Sequence, residues 1–137
     1  MDQDLADALV QTAFATTAVL TRVAAEHDLS LTQLRVFGIL EDRRVRMTRL
    51  AEFLGLEKST MSGLVDRAEK RGLLRRVPSA EDGRAVDVEA TPEGAALAAR
   101  VRARVTELLA PLVDGASPAD RAELTRLLGG VTASFLP

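Results

Sequence analysis

The sequence predicts a mainly α-helical protein with a single β-hairpin set between its fourth and fifth helices. Three observations carry this expectation. Apolar residues recur at intervals of three and four through most of the chain. Helix-start signals stand at Ser30-Leu31-Thr32-Gln33, Thr91-Pro92-Glu93 and Ser117-Pro118-Ala119-Asp120. From Leu73 to Glu89 the period changes from helical to alternating.

The first helix, α1, is expected over residues 5–25, an Ala-rich stretch free of Gly and Pro, with Leu5, Leu9, Leu20 and Val23 at mostly helical spacing. Ser30 and Gln33 form a capping box, each side chain able to bond the other's backbone N–H, and open α2 over 31–40 with Leu34, Phe37 and Leu40 inward. A short α3 over 48–54 ends at Gly55, suited to a left-handed cap. α4 runs over 57–71 and is followed by Gly72. Two strands, 73–77 and 85–89, are joined by a short polar turn whose Asp82-Gly83 offers positive-φ chemistry. Thr91 as N-cap, Pro92 at the first helical position and Glu93 at the positive dipole end start α5, which runs through Val113. Ser117 opens α6, with Leu124, Leu127, Leu128 and Val131. The order is α1-α2-α3-α4-β-β-α5-α6.

At 137 residues, 47% hydrophobic and 28% charged, the chain fits one domain with a buried core. No stretch approaches roughly eighteen consecutive apolar residues, so no membrane span is expected. Met1-Asp2-Gln3-Asp4 lacks the layout of a signal peptide, and a cytoplasmic location follows as the expectation. With no cysteine there is no disulfide, thiolate zinc site or thiol sensor, and the single histidine, His27, leaves no multi-histidine metal site. There is also no paired-carboxylate motif, phosphate-cradling glycine loop or nucleophile-histidine set. The sequence therefore predicts neither an enzyme nor a cofactor or metal requirement. Four Phe, without Trp or Tyr, argue against a stacking platform for single strands.

The net charge of −2 is unevenly spread. Between Arg43 and Arg84 eleven Lys or Arg stand against six Asp or Glu, a net of +5, while the remainder carries −7. One local surface is thus expected to meet an anion. Two features share that segment. The first is a helix-Gly-helix pair, in which Leu50, Ala51, Leu54, Leu56, Leu64, Val65 and Ala68 pack inward. The second helix presents Lys58, Ser59, Thr60, Ser62 and Gly63, small or hydrogen-bonding residues that let a helix sit deep in the major groove. Ser59 and Thr60 suit phosphates at the helix start, and Arg67 a base or a phosphate. The second feature is the hairpin, with Arg75 and Arg76 on its first strand and Arg84 at its tip beside Asp82. A helix-turn-helix followed by a basic hairpin is a winged helix, whose wing arginine can enter the narrow minor groove. Asp82 can bond turn amides or hold Arg84. A winged-helix dimer that binds a protein or small ligand without binding DNA is the alternative, favoured by the overall acidity.

Nearly the whole chain resembles the MarR family of bacterial transcriptional regulators. The similarity rests on LSLTQLRVFGIL, LAEFLGLEKSTMSGLVDRAEKRGLLRR and EDGRAVDVEATPEG, which supply Leu50-Ala51, Ser59-Thr60, Asp66-Arg67, Glu69 to Leu73, Asp82, Arg84, Thr91 and Gly94 in order. The departures are Ala68 and Ala90 in place of leucines, Gly63 in place of a longer polar residue, Glu57 in place of a better cap, and Asp-Gly-Arg in the wing in place of Asp-Arg-Arg. The resemblance implies a homodimer, with 1–29 and 92–137 forming the dimer region and 30–91 the DNA-binding region. Leu108, Leu109, Leu112, Leu124, Leu127, Leu128, Val131, Phe135 and Leu136 fit such a dimer. It also implies a sequence-specific regulator of double-stranded DNA at a pseudo-palindromic operator, more often a repressor. A small aromatic or phenolic effector would release it from a pocket framed by α1, α2 and α5, where Phe14, Arg22, His27 and Phe37 are candidate lining residues.

Overall fold

The computed structural model describes residues 1–135. Its elements are α1 (Gln3–Glu26), α2 (Leu31–Leu40), β1 (Val45–Arg46), α3 (Met47–Leu54), α4 (Lys58–Lys70), β2 (Leu74–Pro78), β3 (Val86–Ala90), α5 (Pro92–Val113), α6 (Pro118–Thr132) and a 3-10 turn at Ala133–Phe135. The helix order matches the sequence expectation. β1 is additional: it pairs antiparallel with β3, and the hairpin therefore belongs to a three-stranded sheet of order β1-β3-β2.

Local chemistry accounts for the helix starts. The Ser30 hydroxyl accepts from Gln33 N at 3.1 Å, and the Gln33 side chain accepts from Ser30 N at 2.8 Å. Ser117 Oγ accepts from Asp120 N. Gly55 and Gly72, at φ +66° and +72°, end α3 and follow α4 in the left-handed region that a Cβ disfavours. Thr91 ties three elements together: its N–H donates to Leu73 O, its hydroxyl donates to Gly72 O at 2.6 Å, and that hydroxyl accepts from Gly94 N.

The hairpin turn differs from its expectation. It spans residues 79–85, and Gly83 is not at positive φ. Side chains close this turn in place of left-handed backbone. Ser79 Oγ accepts from Glu81 N and Asp82 N, Asp82 Oδ1 accepts from Arg84 N at 3.0 Å, and Ser79 N donates to Ala85 O.

The core lies where α1, α2, α3, α4, α5 and the sheet converge, around Val23, Val36, Leu40, Leu50, Met61 and Leu74. Leu54 and Leu56 are only half-buried, and Ala68 is fully enclosed. Apolar surface elsewhere is left uncovered. On α1, Leu5, Leu9, Val10 and Phe14 are exposed; so are Leu112 on α5 and Leu124, Leu127, Leu128 and Val131 on α6. No α6 residue is buried. Leu136 lies outside the described residues. By length and composition alone α1 is long and apolar enough to cross a membrane, a test that the core helix of a water-soluble fold also passes. A count of consecutive apolar residues misses this because threonines interrupt the run.

An ion pair joins α1 to α5. Arg104 donates to Glu26 at 3.1 and 3.2 Å and to Glu107 at 2.9 Å. The hydrogen bonds from Arg104 hold the Glu26 carboxyl below its ordinary range, and the same pairing raises Arg104. A carboxylate depressed in the folded state stabilises above its unfolded value, near pH 4.3, and loses that contribution as pH falls through the folded value. Thermal unfolding followed between about pH 5 and pH 3 should show this acid limb in the native chain, flattened in Glu26→Gln. An unchanged limb would remove the pair from the acid response.

Candidate nucleic-acid interface

α4 divides its residues between two faces. Met61, Leu64, Val65 and Ala68 are buried against the body. Lys58, Ser59, Thr60 and Arg67 are exposed, and Ser62 and Gly63 are half-buried beside them. No side chain caps α4, because Glu57 at the N-cap makes no such bond. The first-turn amides therefore stay available to an anion at the positive dipole end. A Cβ on Gly63 would meet only Arg67 Nη1 at 3.4 Å, ordinary contact, so the fold does not require glycine there.

The hairpin follows α4 directly, and one arginine braces the two together. Arg76, on β2, pairs with Asp66 at 2.8 Å and with Glu69, and its Nη2 donates to Ser62 O at 3.2 Å and Ser62 Oγ at 3.0 Å. Its own N–H donates to Glu69 Oε2. The guanidinium thus lies between wing and helix, committed to the protein. Arg75 pairs with Glu89 at 2.7 Å, and Arg44 approaches the same carboxylate at 3.4 Å. Arg84 is fully outside this network. It is exposed in the turn, and its guanidinium has no partner among the described residues. Asp82 holds the backbone of Arg84 and not its side chain.

This geometry makes a prediction for Arg76. Arg76→Ala removes the brace and leaves Glu69 without its guanidinium, costing about 1–2 kcal/mol of stability. Urea unfolding should show that loss, whereas Arg75→Ala, at a more exposed pair, should stay within about 0.5 kcal/mol. Equal effects would deny Arg76 its bracing role.

Compared with known proteins, residues 27–85 match the sequence model of the MarR family. Over these residues, which hold the helix-turn-helix and most of the wing, the chain is similar to the MarR family. The transcriptional regulator PecS of Dickeya dadantii (strain 3937) is 29% identical over 116 residues, 82% of this chain and 70% of that protein. A cysteine-to-serine mutant of MarR from E. coli, solved with operator DNA, superposes with a TM-score of 0.69 at 22% identity, covering 94% of each chain. CouR of Rhodococcus jostii RHA1, bound to p-coumaroyl-CoA, gives 0.73 at 22% identity, covering 94% of this chain and 91% of that one. At these identities the solved structures share the fold.

Around this winged helix the four effector candidates lie at separate places. Phe14 is 68% exposed on α1, whereas Phe37 is in the core. Arg22 approaches Glu26 at 3.6 Å. His27 is half-buried at the end of α1. None of the four lines either of two clefts, of about 650 and 310 Å³, found elsewhere on the surface. The backbone of His27 has a role that no sequence signal announces. Arg71, at the end of α4, donates from Nη2 to His27 O at 3.0 Å and from Nη1 to Asp28 O at 2.9 Å. The larger cleft is equally silent in the sequence. It opens between α3 and the wing, and its arginines 43, 44, 46 and 49 signal only as part of the +5 segment.

Proposed function

We propose that the protein is a dimeric, sequence-specific DNA-binding transcriptional regulator. It acts in the cytoplasm as a repressor released by a small aromatic or phenolic ligand, and it has no catalytic role. The observation that carries this reading is the exposed start of α4 set beside an unpaired wing arginine, the two being braced by Arg76. Lys58, Ser59, Thr60, Ser62, Gly63 and Arg67 would face the major groove, and Arg84, positioned by Asp82, the adjoining minor groove. Arg75 and Arg76 would act through the protein, as the ion pairs they already make imply. The operator complex of the E. coli relative supports the DNA reading, and the p-coumaroyl-CoA complex of CouR supports an aromatic effector.

Residues 1–29 and 92–137 would form the dimer region, with residues 30–91 as the reading head. The uncovered leucines and valines of α1, α5 and α6 support this, being too extensive for one chain to leave in water. Two heads about a twofold axis would read half-sites about one helical turn, roughly 10 bp, apart. In the dimer a partner's α1 would stand near Phe14, and the effector pocket would be completed between chains. Replacing both Leu127 and Val131 by glutamate should shift the sedimenting species from dimer to monomer; a dimer that persists would move the interface elsewhere.

The deciding experiment is fluorescence anisotropy on the promoter fragment of the protein's own gene against scrambled DNA, over a salt series. Specific binding whose log K falls steeply with log salt establishes the regulator. No binding to any DNA at low salt would favour the alternative dimer that binds a protein or small ligand.

A further inference from the structure

The larger cleft, of about 650 Å³, lies between the start of α3 and the outer side of the wing. Its volume falls in the range of small-molecule sites. Arg43, Arg46, Arg49, Ser79, Glu81 and Asp87 are among the residues that line it.

One wall is built for an anion. α3 starts here without a side-chain cap, so its first-turn amides have no side-chain acceptor. Thr48 and Arg49, on that first turn, both line the cleft, and the Arg49 guanidinium has no partner among the described residues. Among the described residues Arg43 pairs only with the neighbouring exposed Asp42, at 3.2 Å. The opposite wall is already ordered. Arg46 Nη2 donates to Ser79 Oγ at 3.1 Å, and that buried hydroxyl accepts from Glu81 N and Asp82 N.

A second observation lies between these walls. Asp87, directly across the ladder from Arg46, is 9% exposed, and its carboxylate has no hydrogen-bond or ion-pair partner among the described residues. Its oxygens open into the cleft, where a ligand hydroxyl can donate to them in place of water. The site thus asks for one molecule with an anionic end and hydrogen-bond-donating hydroxyls. A phosphate monoester offers three oxygens to the α3 amides and to Arg49 and Arg43, more than a carboxylate can.

We propose that this cleft binds a phosphorylated polyol, its phosphate at the start of α3 on Arg49 and Arg43 and its hydroxyls on Asp87. The DNA backbone shares the phosphate chemistry but has no free hydroxyl to satisfy Asp87, which favours the free ligand. This inference stands apart from the DNA-binding reading.

Isothermal titration of the full chain with ribose 5-phosphate, inorganic phosphate and ribose tests it, with folding of each variant checked by thermal unfolding. Ribose 5-phosphate should bind saturably, one per chain and more tightly than inorganic phosphate. Arg49→Ala and Asp87→Asn should each weaken it about tenfold or more. Inorganic phosphate should lose affinity in Arg49→Ala and keep it in Asp87→Asn, which separates the two walls. Absence of saturable binding, ribose 5-phosphate binding no tighter than inorganic phosphate, or binding untouched by both substitutions overturns the proposal. If Arg49→Ala weakens DNA binding while ribose 5-phosphate does not bind, the arginines serve the DNA backbone and the polyol site is rejected.

Discussion

Gly94→Ala should destabilise the protein by about 3 kcal/mol or more, lowering the unfolding midpoint by roughly 10 °C. A Cβ at Gly94 would lie 1.9 Å from Leu73 O, 2.9 Å from Leu73 C and 3.3 Å from its Cα. These are backbone atoms, so no side chain can swing aside. Leu73 O is also the acceptor for Thr91 N–H, so moving it breaks the joint between the hairpin and α5. The measurement is urea or thermal unfolding at fixed protein concentration, since association would shift the midpoint. Gly83→Ala is the matched control: nothing lies within 4 Å of its added Cβ and its φ is ordinary, so stability should hardly change. If both glycines tolerate alanine equally, the close approach of α5 to Leu73 is wrong.

Arg84→Ala should weaken DNA binding about tenfold at low salt and lower the slope of log K against log salt by about 1. The reasoning is one of availability. Among the hairpin arginines, Arg76 is held by Asp66 and Glu69 and Arg75 by Glu89, whereas Arg84 is unpaired and its backbone is fixed by Asp82. A contact that is chiefly electrostatic is lost alike on specific and scrambled DNA. Thr60→Ala or Ser62→Ala should instead change the preferred sequence, with little effect on the salt slope. An Arg84→Ala protein with unaltered affinity and slope would take the wing off the DNA.

What the sequence made legible was whatever is encoded within a few residues. The Ser30 box, the Thr91 and Ser117 caps and the glycines after α3 and α4 each act over three or four positions, and each is found in the fold. The two-residue β1 has no period to detect, and only its pairing with Val88 and Asp87 makes it a strand. Gly83 misleads because Asp-Gly signals a left-handed turn, whereas Ser79, four residues before it, supplies a hydroxyl that closes the turn another way. The role of Arg76 depends on partners seven, ten and fourteen positions away, which no local motif weighs. Asp87 looks like any alternating strand residue until its enclosure is visible.

The grip of Arg71 on the end of α1 has a mechanical consequence. One planar guanidinium donates through two nitrogens to two successive carbonyls, which fixes an angle as well as a distance. Asp28, one of the two, sits at φ +54°, where the chain turns sharply after twenty-four residues of helix. The end of α1, a helix about 36 Å long, and the last turn of α4 are therefore held as one unit, and turning either against the other requires both of these bonds to break.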